Sequence, residues 1–197
     1  IYIALFCLVD WLKNNTSNGL IALLFCLFIL LVINAFNKWQ INSQQKMIVY
    51  NVPKSSAIDF SNGNSYQFVG DSALLTDGML QNFHLKPGRI QNHFANQISS
   101  LYNLSITENL IDYHGKKILL VNTHSWEPVE DKIKIDLIIL SKNSRISIQQ
   151  LTKTFQCQTF VFDASNSLWK IGQWTKECEQ LHLRCHSVST QGAFIMD

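Results

Sequence analysis

An uncharged apolar run near the amino terminus sets the strongest constraint on how this chain can fold. The run, GLIALLFCLFILLVINAF at residues 19–36, contains a single strongly polar side chain, Asn34. An α-helix rises about 1.5 Å per residue, so a run of this length approaches the ~30 Å thickness of the hydrocarbon core of a bilayer. We therefore predict a transmembrane helix here.

A second apolar segment comes before this run. In IYIALFCLVDWLK, residues 1–13, Asp10 would be costly at mid-bilayer but is acceptable near an interface beside Trp11 and Lys13. We interpret the segment as the tail of an earlier span of a longer protein, and NNTSNG, residues 14–19, as the turn of a helical hairpin. A signal peptide is the alternative, although no basic region and no small-residue cleavage site frames the run.

The rest of the chain has the composition of a folded domain. The sequence is 47% hydrophobic, and its 16 lysines and arginines against 14 aspartates and glutamates give a formal charge of +2. This charge is too small for a general affinity for nucleic acid, so any polyanionic partner needs a local basic patch. We divide the chain into a transmembrane helical hairpin over residues 1–37, a polar linker over 38–45 and a folded domain over 46–197.

Strand and helix patterns in the domain predict an α/β fold. Its first half contains two predicted hairpins, one turning at residues 62–64 and the other at His114 and Gly115. From Lys134 onward, strands alternate with helices in the order β-α-β-α-β-β. We therefore predict a mixed-sheet layered sandwich.

Helical periodicity predicts two helices in the first half and two in the second. The first pair covers residues 72–86, expected to end at Pro87, and residues 89–102. In the second pair, one helix begins with a Ser147–Gln150 capping box. The apolar residues that share one face of the first helix are Leu75, Met79 and Phe83. The stripe of the last helix, which we assign to the core, consists of Leu168, Ile171, Trp174, Cys178 and Leu181.

A polar corner, Ser141–Ser144, separates the strand DLIIL from the helix that follows it. Ligands and catalytic groups gather at such carboxyl ends of strands in many α/β proteins. Two cations and the first amides of the helix could bind a phosphate there, although a solvated rim is the simpler interpretation. The residues of this predicted phosphate or DNA contact are Lys142, Asn143, Ser144 and Arg145.

The chain carries no recognisable motif for metal binding or nucleophilic catalysis. Its six histidines form no HxH, no HxHxDH and no HxxxH with a glutamate, and GxSxG, P-loop and GxGxxG motifs are missing. Cys178, His182 and His186 recur every four residues, but a strand predicted from Leu183 breaks their helical alignment. We predict no catalytic residue, no metal ligand and no cofactor.

We interpret the isolated carboxylates and the cysteines as structural residues and not as parts of a functional site. Asp71, Asp77 and Asp163 stand near strand ends, where turn and cap residues are commoner than general bases. The five cysteines are odd in number and have no CxxC spacing, so we interpret them as small buried side chains rather than a disulfide framework.

From residue 136 onward the sequence resembles the second half of the metallo-β-lactamase-like domain at the carboxyl terminus of ComEC-type competence proteins, the inner-membrane channels of bacterial DNA uptake. In that family a strand leads into a His-His-Gly-Ser corner, and helices and strands follow up to a closing Gly-Ala turn. Here Ser141–Ser144 match the corner, Leu181–His186 match a later strand and Gly192–Ala193 match the turn. Upstream, IVYNVPKSSAIDF resembles the opening DVGQGDA strand, with Ser56–Ala57 at its Asp-Ala pair.

The metal ligands of active members of that family are missing. Their His-x-Asp-x-Asp-His loop corresponds to residues 71–94, whose two histidines, His84 and His93, lie far apart. Asn122–Thr123 stand in place of the bridging aspartate, and Ser141–Lys142 in place of the paired histidines. Zinc-activated hydrolysis needs several imidazole and carboxylate ligands to hold the ion and lower the pKa of its water to about 7. The resemblance therefore implies a degenerate metallo-β-lactamase-like domain that is not an enzyme.

The same resemblance implies a role for the whole protein. The chain would be the C-terminal part of a multi-pass protein of the bacterial cytoplasmic (inner) membrane that takes part in the uptake of transforming single-stranded DNA. Its expected partners are single-stranded DNA, the membrane and other components of DNA uptake. Two alternatives stay open: a metal-dependent nuclease with an atypical site, and a membrane-anchored interaction domain unrelated to DNA.

Overall fold

The computed structural model of the chain describes residues 2–14, 17–122 and 132–197. The chain divides into two compact units, Ile1–Ser43 and Gln44–Asp197.

The first unit is a pair of helices, α1 (Tyr2–Asn14) and α2 (Ser17–Ser43), which pack against each other. Within the described residues, one helical stretch is long and apolar enough to cross a membrane, Gly19–Ser43. Most of its large apolar side chains are exposed, with Leu23 buried, a pattern that suits lipid contact. The helix also covers most of the predicted linker at 38–45, because that segment contains no glycine or proline to stop it.

The second unit is an α/β domain. In the described residues its strands are β1 (Gln45–Val49), β2 (Ala57–Asn62), β3 (Ser65–Gly70), β4 (Asn96–Gln97), β5 (Leu104–Thr107), β6 (Leu110–Tyr113), β7 (Lys116–Val121), β8 (Ile133–Lys134), β9 (Leu137–Leu140), β10 (Phe155–Gln156), β11 (Thr159–Phe162), β12 (Arg184–Ser187) and β13 (Phe194–Met196). The helices are α3 (Ala73–Thr76), α4 (Gly78–Leu80), a π-helical turn (Gln81–Leu85), α5 (Lys86–Gln91), α6 (Ile148–Thr154), α7 (Leu168–Gln180) and α8 (Val188–Gln191).

Two mixed sheets organise the domain. The first sheet has the order β13-β1-β2-β3-β4 and is antiparallel except between β3 and β4. The second has the order β12-β11-β9-β7-β6-β5, with four parallel strands from β12 to β7 and an antiparallel hairpin extension. A short parallel pair, β8 with β10, stands apart. The predicted mixed α/β fold is therefore confirmed.

The core lies in three layers of buried side chains. Met47 and Phe60 from the first sheet pack with Ile139 from the second, so these two sheets face each other. On the outer face of the second sheet, α6 and α7 pack their apolar stripes, including Leu151 and Trp174. The outer face of the first sheet is covered by the short helices α3 to α5. Residues buried in that third layer include Ile48, Tyr50, Leu74 and Leu85. The order helix, sheet, sheet, helix fits a layered sandwich, and the metallo-β-lactamase-like assignment stays a prediction.

Local turn and cap signals predicted several elements correctly. The hairpins turn at residues 63–64, between β2 and β3, and at residues 114–115, between β6 and β7. Ser147 caps α6 and forms the predicted capping box with Gln150. The helix α7 ends at Gln180, before His182 and His186, as predicted.

The prediction of two continuous helices between the hairpins is wrong. Asp77 has an extended backbone, which ends α3, and its carboxylate accepts hydrogen bonds from the N–H groups of the next turn. Pro87 lies in the first turn of α5, where a missing N–H is tolerated, so it does not end the segment. The second predicted helix, 89–102, stops at Gln91, because the chain turns through His93 in a left-handed conformation (φ 59°) and then forms β4.

Candidate functional site

The candidate site lies at the carboxyl edge of the second sheet. Because β9 and β11 are parallel neighbours, the segments that follow them leave the sheet at the same edge. Ser141–Ser147 follow β9, and Asp163–Ser167 follow β11. The predicted corner therefore lies beside a second polar loop, which sequence reasoning had assigned only to turns and caps.

An ion pair between the two sheets fixes the corner from one side. Lys142 Nζ lies 2.9 Å from Oδ1 of Asp71, the residue that follows β3 in the first sheet. The other carboxylate oxygen of Asp71 accepts a hydrogen bond from the Ser56 N–H at 2.8 Å. Burial raises the pKa of Asp71, but the hydrogen bonds from Lys142 and Ser56 and the lysine charge outweigh it, so its pKa lies below the ordinary value.

Close backbone packing holds Asp71 against Ser56. The backbone N–H of Asp71 donates to Ser56 O at 2.9 Å. Gly70 passes so near Ser56 O that a Cβ at this position would overlap it. A glycine is therefore required here for Asp71 to reach Lys142.

Two backbone N–H groups of the corner donate hydrogen bonds to the loop that follows β11. Lys142 and Asn143 adopt left-handed conformations, with φ values of 55° and 51°. Their N–H groups donate to Ser165 Oγ at 2.7 Å and Asn166 Oδ1 at 2.8 Å. In return, Asn143 Oδ1 accepts from the N–H of Ser167, the N-cap of α7, at 2.7 Å. These bonds orient the corner towards the loop, so its amides are not open to a ligand.

A buried carboxylate, Asp163, lies behind this network. Its Oδ1 accepts hydrogen bonds from the N–H and hydroxyl of Ser165 and from Asn166 Nδ2. Its Oδ2 has no hydrogen-bond partner among the described residues. Burial raises the pKa of Asp163 to about 6, against the hydrogen bonds from Ser165 that lower it. The buried hydroxyls of Ser141 and Ser144 are likewise without a partner in the described part of the chain.

The four predicted contact residues differ in what they can offer a phosphate. The ammonium of Lys142 is paired with Asp71, and the amides of Lys142 and Asn143 are occupied. Ser144 is buried. Arg145 is exposed, and neither an ion pair nor a hydrogen bond of its side chain is found within the described residues. The phosphate contact stays a prediction, and Arg145 is the member best able to make it.

An exposed aromatic residue lies in the helical turn next to this corner. Trp169 belongs to the first turn of α7, which begins beside Asn143, and 72% of its surface is exposed. Nothing local in the sequence predicts this exposure, because it depends on how α7 packs. Exposed aromatic rings and cations on neighbouring segments are typical of surfaces that bind single-stranded nucleic acids.

The donor set at this edge does not fit a metal ion. Across residues 2–14, 17–122 and 132–197, no group of three or more histidine, cysteine or carboxylate side chains lies close enough to hold one. The residues around the corner offer an ammonium, hydroxyls, amides and two separately bonded carboxylates, not the imidazoles that zinc prefers. Thr123, predicted to replace the bridging aspartate together with Asn122, lies outside the described residues.

Comparison with known proteins supports the resemblance seen in the sequence. No curated protein and no solved structure matches the chain. The family model described as the ComEC C-terminal domain matches residues 47–197. This range covers nearly all of the α/β unit, including the corner and both sheets, and connects the chain with competence and DNA uptake. The chain therefore belongs to the ComEC C-terminal domain family.

Proposed function

We propose that this chain is the C-terminal part of a multi-pass inner-membrane competence protein that takes part in the uptake of transforming single-stranded DNA. In this proposal the α/β unit is not a hydrolase. The match of residues 47–197 to the ComEC C-terminal domain supports the role in DNA uptake. The observation that supports the absence of hydrolysis is the ion pair between Lys142 and Asp71, 2.9 Å long, at the corner where the resembled family has its paired histidines.

A lysine at this corner works against a two-metal hydrolase. Its ammonium brings a positive charge to the place where a cation would have to bind, and the paired carboxylate already has a partner. Metal-assisted hydrolysis requires an open coordination position and a bound water of lowered pKa. Hydroxyls and amides are not the imidazole and carboxylate ligands that such a site needs.

The proposed contact with single-stranded DNA centres on Arg145 and Trp169. Proteins that bind single strands combine cations along the phosphate backbone with aromatic rings on which bases stack. Arg145 and Trp169 are both exposed and lie on segments joined by the bond between Asn143 and Ser167. With a net charge of only +2, such binding would be local and weak, as expected for a transient contact during transport.

Membrane attachment completes the proposal. The helix Gly19–Ser43 has the length and composition of a span and leads into the α/β unit after a single residue, Gln44. Attachment through such a helix would keep the unit at the membrane surface, where DNA and other uptake components would meet it.

The function can be tested with the full chain in lipid nanodiscs. After incubation with zinc or manganese and dialysis, elemental analysis should find less than one metal ion per chain. Labelled single-stranded DNA should bind in a salt-dependent way and should not be cleaved. In competent cells, deletion of the α/β unit should reduce uptake, whereas Lys153→Met, at the exposed end of α6, should not. Stoichiometric metal with chelator-sensitive cleavage would establish the nuclease alternative. Undisturbed uptake and no DNA binding would favour an interaction domain unrelated to DNA.

A further inference from the structure

The short helices over the first sheet expose an apolar stripe. Four large side chains along this segment point to solvent, and they alternate with inward residues such as Leu74 and Leu85 that fill the core. The exposed fractions are 45% for Leu75, 70% for Met79, 70% for Phe83 and 65% for Ile90. We call these four residues the apolar stripe. Apolar surface exposed along one segment in this way is a common feature of sites that contact another protein or a membrane.

The chain enters the α/β unit beside this stripe. Gln44, the first residue after α2, donates through Nε2 to Asn92 O at 2.7 Å. Lys46 Nζ donates to Asn92 Oδ1 at 3.1 Å. Asn92 is the C-cap of α5, and Ile90 of the stripe lies in the last turn of that helix. The point of attachment and one end of the stripe are therefore held together within the unit.

The end of α2 has the residues of a membrane interface. Trp39 is exposed and Lys38 precedes it, a combination typical of the headgroup region. Gln44 comes five residues after Trp39, which corresponds to about 7 Å of helical rise. If α2 spans the bilayer, the chain connection itself keeps Gln44 near the headgroup region.

The charges around the stripe are few. Asp77 is used as a helix cap, with its carboxylate accepting from two backbone N–H groups. Arg89, the other charged residue near Ile90, is buried in an ion pair with Asp59 and does not reach solvent. Lys86 remains as an exposed cation among the apolar side chains, which suits a phosphate headgroup. An apolar surface with an isolated lysine is the composition of an interfacial membrane segment.

We propose that the apolar stripe inserts into the headgroup and acyl boundary of the membrane that α2 crosses. This inference rests on the proposed membrane attachment. The occupant is lipid and not a second protein, because attachment through Gln44 keeps the unit beside the bilayer, so that lipid is at high effective concentration around it. The contact restrains the α/β unit at the membrane.

Photocrosslinking in the full chain tests this inference. The photoreactive p-benzoylphenylalanine replaces Phe83, and the protein is reconstituted in vesicles of phosphatidylcholine and phosphatidylglycerol. Phe28 in α2, 62% exposed, provides the position expected in lipid. Tyr102, a 95% exposed aromatic just before β5, provides the position expected in water. After illumination, lipid adducts are counted by mass spectrometry.

We expect lipid adducts at Phe28 and Phe83, several-fold more than at Tyr102. Adducts at Phe28 with none above background at Phe83 would overturn the docking while leaving the membrane attachment intact. No adducts at Phe28 would overturn the attachment itself, and the docking with it. A crosslink from Phe83 to a second chain would show that the stripe is a protein interface and would also overturn the proposal.

A surface variant gives an independent measurement. Met79→Asp with Phe83→Asp changes two exposed residues, so folding should persist, and circular dichroism checks it. In vesicles, protease cleavage between residues 72 and 91 should become several-fold faster than in the parent chain, and Tyr102→Asp should leave the cleavage rate unchanged. Equal cleavage rates in the variant and the parent would contradict insertion of the stripe.

Discussion

The ammonium of Lys142 lies 2.9 Å from the carboxylate of Asp71, and this pair connects the corner after β9 with the end of β3 in the other sheet. The carboxylate also accepts from the backbone of Ser56. The corner continues from β9 of the second sheet, and the Lys142 side chain connects it to the end of β3 in the first sheet. A position that would carry a metal ligand in the resembled hydrolases is part of an internal polar network here.

Removal of this ion pair should lower the free energy of unfolding only slightly, and most of that loss should depend on pH. Because the pKa of Asp71 lies below its ordinary value, the pair contributes at neutral pH and is lost as the pH falls through that lowered pKa. The Lys142 side chain is 52% exposed, so we expect a coupling of only about 0.5–1 kcal/mol at pH 7. A double-mutant cycle of Lys142→Met and Asp71→Asn, followed by urea unfolding, measures it.

The exposed Lys153 at the far end of α6 provides the matched control for this cycle. Lys153→Met should show no coupling to Asp71→Asn. High salt should reduce the coupling of the Lys142 pair. A coupling of zero at low salt would show that the pair contributes nothing to the fold.

Asp163 should make the folded unit less stable as the pH rises. Its pKa of about 6 exceeds the ordinary value of 3.8, so the stabilising contribution is present below pH 4 and is lost as the pH rises through 6. The difference corresponds to about 3 kcal/mol at pH 7 and above. In Asp163→Asn, which keeps an oxygen for Ser165, this pH-dependent loss should disappear. Urea midpoints from pH 4 to pH 8 measure it, and the same pH dependence in both proteins would show that the pKa of Asp163 is not raised in the folded unit.

Features that depend on neighbouring residues could be predicted from the sequence. The turn glycines Gly63 and Gly115 have φ values of 63° and 77°, and both hairpins follow from this local requirement. The capping box of α6 is likewise a pattern of adjacent residues. Ile171, Trp174 and Cys178 of the predicted stripe are buried, whereas Leu168 and Leu181 at its ends are exposed.

Features that depend on tertiary contacts could not be predicted. Lys142 and Asp71 are distant in the sequence and belong to different sheets, so nothing local indicates their pairing. Periodicity predicted one helical face for Leu75, Met79 and Phe83, but it does not tell whether a face meets core, water or lipid. The break at Asp77 depends on hydrogen bonds from its carboxylate that compete with continued helix.

The buried ion pair between Arg89 and Asp59 should be one of the most sensitive points of the fold. Arg89 Nε lies 2.7 Å from Asp59 Oδ2, and Asp59 is fully buried. Arg89→Leu leaves an uncompensated buried carboxylate, so we expect a loss of about 3–5 kcal/mol in the free energy of unfolding. Lys86→Leu, an exposed position in the same helix, should change it by less than about 0.5 kcal/mol.

A second change distinguishes the charge effect from loss of packing. Arg89 also stacks over the ring of Tyr66, with its guanidinium carbon 4.4 Å from the ring centroid. Asp59→Asn combined with Arg89→Leu removes the unpaired charge but not the packing defect, and should recover a large part of the loss. If the double variant is as unstable as Arg89→Leu alone, packing on Tyr66, not charge, dominates at this site.

Arg145 and Trp169 should determine the affinity of the α/β unit for single-stranded DNA. Arg145→Ala removes one phosphate contact, so in nanodisc-bound full chain we expect roughly 3- to 10-fold weaker binding and a salt slope smaller by about 0.7. Trp169→Ala should weaken binding with little change in that slope, because stacking releases no counterions. Fluorescence anisotropy with a labelled oligonucleotide at several salt concentrations separates the two effects. Lys153→Ala and Tyr102→Ala remove an equivalent charge and ring elsewhere, and equal losses in those variants would disprove a site at the corner.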